Sequence, residues 1–236
     1  MQRFGLTLLM GLVAVPSLSA QGREQERITS AGSVLTEMSR IPDRGIPTSL
    51  IHEAQAIMIF PNVIRAGFVV GVRRGHGVVM ARNEQGVWGL PVMVTITGGN
   101  FGAQVGLQSS DLVLMFRTRR GVDSVMAGRQ LTLGGDASIS AGPIGRNLAA
   151  GTDTSFRTEI LSWSRSRGLF AGVALDGSIV TTDHSAIAAV YGSPAPIVST
   201  ILNGQLTQVP QAPNNLRTLL LQMAPPPTQP PPLPPK

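Results

Sequence analysis

The stretch Leu131–Arg146, LTLGGDASISAGPIGR, constrains the fold most. From Leu131 to Ala141 it alternates: Leu131, Leu133, Ala137, Ile139 and Ala141 point one way, and Thr132, Gly134, Asp136, Ser138 and Ser140 the other. A period of two is the pattern of a half-buried strand. Small residues on the polar side predict a strand, loop or ligand packed close to it. Gly142-Pro143-Ile144-Gly145-Arg146 then stops the strand, because proline fixes φ and lacks a donor while glycine tolerates positive φ. The expected result is a rigid corner that delivers Arg146 to a fixed place.

The chain has 236 residues, room for one sizeable domain plus tails at roughly 100–200 residues per domain. It is 42% hydrophobic, with 27 glycines and only 4% aromatic residues, which favours closely packed sheets over a helix bundle. It has no cysteine, so disulfides, thiolate metal sites and cysteine nucleophiles are excluded. The formal charge is +6, and Lys236 is the only lysine among the 19 basic residues. Arginine binds phosphate and carboxylate in bidentate fashion, so the balance leans towards anionic partners.

Residues 1–20 read as a secretory signal peptide: Arg3 is followed by the apolar run Leu6–Val15 and the breaker Pro16 before small residues. That run falls well short of the roughly 20 apolar residues needed to span a bilayer. The expected localisation is therefore exported, periplasmic or extracellular, and peripheral to the membrane. Residues 23–192 form the expected α+β domain, and residues 193–236 a proline-rich, mostly disordered tail ending in APPPTQPPPLPPK. The last six residues match a ligand pattern for SH3 domains, but a stiff spacer is the better reading in an exported chain.

Within the domain, residues 23–41 predict a docked helix with Ile28, Ala31, Leu35 and Met38 on one stripe. A second, short helix is expected from Ser49 to about Gln55. Ile64, Ala66, Phe68, Val70 and Val72 alternate with Arg65, Gly67, Val69, Gly71 and Arg73, and Arg74-Gly75-His76-Gly77 reads as a hairpin turn into Val78–Arg82. The apolar parity slips between Ile96 and Phe101, predicting a bulge or bend at Gly98 and Gly99. Arg119–Arg129 reads as a short helix. Gly168–Leu175 and Ser178–Thr182 flank an Asp176-Gly177 turn and predict a hairpin. Asp183 is placed to cap a last helix that Gly192 ends.

The order IPTSLIHEAQAIMIFPNV, GFVVGVRRGHGVVMAR, GVWGLPVMVTITGGNFGAQVG, LTLGGDASISAGPIGR and SWSRSRGLFAGVALDGSIV resembles the SYLF domain. This is the lipid-binding module of yeast actin-bundling and SH3-containing proteins, with many exported bacterial relatives. The resemblance covers roughly residues 28–192 and rests most on Gly142-Pro143-x-Gly145-Arg146 together with Ser164-x-x-x-Gly168-Leu169-Phe170-Ala171-Gly172. It implies binding of phosphoinositide-like or other anionic headgroups. Actin binding, a property of eukaryotic members, is not carried over to an exported chain.

The residues argue against an enzyme. There is no G-x-S-x-G elbow, no P-loop lysine, and no metal-ligand spacing among His52, His76 and His184. A carboxylate site would need Asp111, Asp136 and Asp153 to meet in space, which their spacing does not ask for. No cofactor or metal is implied. Gly98 and Gly99 are read as close strand packing, since no helix follows them to complete a phosphate cradle.

Arginines gather near expected turns: Arg73 and Arg74; Arg117, Arg119 and Arg120; Arg165 and Arg167; and Arg146 at the corner. If the strand ends lie together, these form one cationic face, with about 1 kcal/mol gained per residue near an anionic bilayer. The expected fold is α+β, a strongly bent antiparallel sheet or partly closed β-barrel with flanking helices. The expected function is non-enzymatic docking on anionic membrane lipids. The alternative is a cell-envelope interaction protein that meets a partner through its proline-rich tail. Nucleic acid is not expected, because few aromatic side chains are present to stack on bases.

Overall fold

The computed structural model describes residues 17–41, 45–67, 70–101, 106–142, 159–166, 169–170 and 175–227. Helix α1 spans Ser17–Arg40 and α2 Thr48–Glu53. Four long strands follow: β1 Ala56–Gly67, β2 Val70–Ala81, β3 Val92–Phe101 and β4 Gly106–Phe116. Helix α3 is Arg120–Met126. Then come β5 Leu131–Thr132, β6 Ile139–Ala141, β7 Ile160–Ser166, β8 Leu169–Phe170 and β9 Ile179–Thr182. Helices α4 His184–Tyr191, α5 Val198–Leu202 and α6 Gln211–Met223 complete the described chain.

The strands form one sheet in the order β5-β9-β3-β2-β1-β4-β7-β6, with β8 added on β7. Every pairing is antiparallel except β6 with β7. The two ends of this order, β5 and β6, are joined by a short connection. Laid flat, the seven spacings between β5 and β6 would measure ~34 Å. The chain from Thr132 to Ile139 reaches at most ~25 Å when extended. It is shortened further by a turn in which Leu133 bridges Ala137 and Gly134 takes φ +81°. The sheet must therefore curl, and it forms the expected bent, partly closed α+β architecture with helices at its flanks.

The organising stretch thus acts as a clasp between the two sheet edges. The single strand expected over Leu131–Ala141 is corrected: it is two short strands on opposite edges, broken at Gly134-Gly135-Asp136. The Asp136 carboxylate closes this break by accepting from the Thr132 N–H at 2.6 Å. At the end of β6, Gly142 lies flat on the Trp163 ring, where a Cβ would stand 2.2 Å from ring carbons. Pro143, Gly145 and Arg146, the rest of the expected corner, lie outside the described residues.

Other differences have equally local causes. Gly75 and Gly77 do not form the hairpin turn. Strand β2 runs straight through them, paired with β3 from Val70–Phe101 to Val79–Val92. They are glycines because a Cβ would meet the Val63 side chain at 2.8 Å and the Ile59 carbonyl at 2.3 Å, where β1 bulges around Asn62. Gly98 and Gly99 carry no bulge either; they stay in register with Arg73 and Val72. Strand β9 is not the hairpin partner of β8. It pairs with β3 and β5, while β8 pairs with β7.

The core lies inside the curl and beneath the helices. On β1, Ala56–Phe60 is buried on both faces, the pattern of a covered central strand. Ile28, Ala31, Leu35 and Met38 of α1 join it, as their spacing predicts. Asp183 caps α4 by accepting from the Ala186 N–H at 3.0 Å, and Gly192 ends it at φ +98°. Residues 193–223 are not a loose tail. Val198, Ile201 and Leu202 of α5 and Leu216 and Leu220 of α6 are buried in the same core. Two prolines of this segment sit at a helix start, Pro210 before α6 and Pro213 in its first turn, where no backbone N–H partner is lost.

Candidate functional site: an arginine-bearing β-ribbon

The halves of β1–β4 nearest the 68–69 and 102–105 connections extend as a ribbon in the order β3-β2-β1-β4. Its inner face carries two arginines in direct register. Arg65 of β1 lies opposite Arg73 of β2, with Gln108 of β4 on the other side of Arg65 and Gly98 of β3 beyond Arg73. Directly opposed residues hold their Cβ atoms about 5 Å apart, so like charges here repel. Arg73 is only 2% exposed, and its Nη1 donates to Ser178 Oγ at 2.9 Å. Burial, and then the charge of Arg65, lower its pKa to about 10. Gly98 makes room for this contact, since a Cβ there would come within 2.6 Å of Ser178 Oγ.

Arg74, the next residue, points to the opposite, exposed face of the ribbon. The alternation of residues 64–73 is therefore inverted relative to an ordinary amphipathic strand. Its apolar members Ile64 and Val72 face water, and the arginine positions face inward.

The arginines do not all converge. Gln108, beside Arg65, and Phe116, beside Ala56, lie about 27 Å apart along β4. Arg117 and Arg119 follow Phe116, so they sit at the other end of the sheet from Arg73 and Arg74. Arg117 donates its backbone N–H to the Glu159 carbonyl, and Arg119 precedes α3. Arg120 opens that helix. Arg165 Nη2 is held by Asp111 Oδ2 and Glu37 Oε2, each at 2.8 Å, and these bonds raise its pKa, that to Asp111 most. It fastens α1 to β7 and is neutralised. Arg146 and Arg167 lie outside the described residues. The single cationic face expected from the sequence does not form among the described residues: Arg65 and buried Arg73 share the inner face of the ribbon, and Arg74 stands alone of the three on its exposed face. Arg65 was missed because placing the turn at residues 74–77 hid its pairing with Arg73.

The other chemistry is structural. Asp111 is held by Arg165 and by the Asn62 N–H at 3.2 Å, and Asp136 by its own turn, so neither faces an open carboxylate cluster. His76 Nδ1 lies 3.1 Å from Thr95 Oγ1 and 3.8 Å from Asp183 Oδ2. Among the described residues no group of three His, Cys, Asp or Glu side chains could hold a metal. A groove of about 400 Å³ runs between α1 and α6, lined by Gly32, Thr36, Arg40, Asn215 and Leu219 among others, and holds none of the ribbon's arginines.

Comparison with known proteins agrees with the resemblance. The family model described as "Ysc84: Las17-binding protein actin regulator" matches residues 97–223, from β3 to the end of α6. The SH3 domain-containing YSC84-like protein 1 of Homo sapiens is 39% identical over 153 residues, covering 63% of this chain and 44% of that protein. Its Xenopus laevis counterpart is 36% identical over 165 residues, covering 70% and 49%. Protein YSC84 of Saccharomyces cerevisiae is 34% identical over 179 residues, covering 75% and 38%. The chain spans less than half the length of these curated relatives. With a model match across more than half of its residues, on the curled sheet and the helices that close it, the chain belongs to the Ysc84, or SYLF, family.

Proposed function

We propose that this chain is a non-enzymatic module that docks on anionic phospholipid surfaces from outside the cytoplasm, with residues 1–20 as its export signal. The observation that carries the reading is Arg74, exposed on the outer face of the ribbon opposite Ile64. Its guanidinium stands in water, where phosphate oxygens can accept charge-assisted hydrogen bonds from it. Each arginine near an anionic bilayer contributes about 1 kcal/mol, screened beyond about 8–10 Å in physiological salt. Binding of this kind is reversible and needs no enclosed pocket. The names of the relatives speak of SH3 domains and actin regulation and of no enzymatic activity.

Co-sedimentation with vesicles of phosphatidylcholine plus phosphatidylglycerol tests it. Binding is expected to fall with added salt and with Arg65→Ala combined with Arg74→Ala. Arg119→Ala, at the far end of the sheet, is expected to leave it unchanged. Equal binding to phosphatidylcholine alone would reject the electrostatic mechanism.

A second reading, an envelope interaction protein acting through its proline tail, draws on Pro225–Pro227, which emerge exposed after buried Ala224. Deleting residues 228–236 should then abolish capture of a partner from an envelope extract. Undiminished capture rejects this reading.

A further inference from the structure

Three large aliphatic side chains stand in water on the outer face of the ribbon. Ile64 is 45% exposed, Val72 64% and Leu107 74%. They are neighbours. Ala66 lies opposite Val72 on one side and Leu107 on the other, and Ile64 shares its face one pleat along β1. Single exposed aliphatics are ordinary, whereas a contiguous group marks a contact surface. The four strands beneath the patch are in continuous register with one another along the ribbon. Exposure here follows from the alternation itself, which leaves Arg73 and Gly75 facing inward.

The chemistry around the patch indicates what covers it. Arg74 lies opposite Ile64, and Thr97, Gly99 and Ser109 complete the face. The nearest acid along β4, Asp111, is already taken by Arg165. A second copy meeting this face across a two-fold axis would bring Arg74 towards its own equivalent, with no free acid to receive either. An anionic bilayer instead offers hydrocarbon to the aliphatic side chains and phosphate to the guanidinium, within one headgroup depth of each other.

We propose that Ile64, Val72 and Leu107 insert below the headgroups of an anionic membrane while Arg74 remains at the phosphate level. The proposal rests on the docking reading above and adds a hydrophobic anchor to it. Insertion is shallow, limited to the side chains, because Thr97 and Ser109 alongside keep the strands themselves in the polar layer.

The test uses the full chain with Leu107→Trp and vesicles of phosphatidylglycerol and phosphatidylcholine, the latter with brominated acyl chains. Trp88 and Trp163 are buried, so their emission in the unsubstituted protein gives the background. The introduced indole is expected to shift to the blue and be quenched on binding. Val72→Ser with Leu107→Ser, both at exposed sites, is expected to weaken binding about tenfold at high salt, where the charge contribution is screened. Co-sedimentation without quenching would overturn insertion and leave docking intact. No co-sedimentation would overturn both. A concentration-dependent dimer abolished by the serine pair would overturn insertion in favour of a second copy.

Discussion

The guanidinium carbon of Arg82 lies 4.4 Å from the centre of the Trp88 ring, and both side chains donate to one acceptor, the carbonyl of Ala224, at 3.1 Å each. Arg82 also donates Nε to the Ala54 carbonyl at 3.1 Å, and Arg217 of α6 donates to the Trp88 carbonyl at 2.8 Å. The end of α2, the segment between β2 and β3 and the end of α6 are therefore tied at one point. Arg82 is 5% exposed and donates to backbone carbonyls rather than to a carboxylate, so burial lowers its pKa.

Removing that guanidinium strands buried acceptors. Arg82→Ala should cost about 2–4 kcal/mol, from lost bonds and unsatisfied carbonyls. Arg82→Lys should recover little, because a single ammonium cannot reach the Ala54 and Ala224 carbonyls together while stacking on the indole. Urea unfolding curves of the three proteins would measure this. A loss below about 0.5 kcal/mol for the alanine variant would show that the knot contributes little.

The same knot bears on where the domain ends. Truncation after Gly192 removes Val198, Ile201, Leu202, Leu216 and Leu220 from the core and should give an insoluble or molten product. Truncation after Pro227 keeps Ala224 and should unfold at the same midpoint as the full chain. Circular dichroism melts of both products distinguish these outcomes.

Much of this fold was legible. Periodicity located α1 by Ile28, Ala31, Leu35 and Met38, and the Asp183 cap and Gly192 stop of α4 follow from local chemistry that tertiary structure does not alter. What was not legible depended on close approach across the sheet. Gly75 and Gly77 look like turn residues along the chain, but they are glycines because β1 bulges against them. Leu131–Ala141 reads as one strand because alternation survives its break at Gly134. The proline content after Ser193 mimicked disorder while the buried face of α6 was carried by only Pro213, Leu216 and Leu220. The site suffered most, since Arg65 meets Arg73 only when β1 and β2 pair in the register that sets Gly67 opposite Gly71.

Gly142 provides a direct test of the clasp. A Cβ there would overlap the Trp163 ring at 2.2 Å, and both partners sit in paired strands or at their ends. Gly142→Ala must move the ring or part β6 from β7, at a cost of about 1–3 kcal/mol. The tryptophan emission spectrum should change with it. Unaltered emission and stability would mean that this glycine is not needed for packing.

His76 gives the fold a modest acid sensitivity. It faces Thr95 and Asp183, with Arg27 and Glu24 of α1 and its neighbour Arg74 nearby. Burial, then Arg27 and Arg74, lower its pKa below 6.5, with Asp183 opposing. The unfolded chain thus takes up the proton first, so stability falls as pH drops through 6.5 towards the folded value. The side chain is 39% exposed, and solvent screening holds the effect below about 1 kcal/mol. Replacing it, His76→Gln, should flatten the unfolding midpoint between pH 7 and pH 5 (roughly the titration range of histidine) while leaving Asp183 to cap α4. A wild-type midpoint that rises on acidification across that range would contradict a histidine whose proton is bound more weakly in the folded protein than in the unfolded chain.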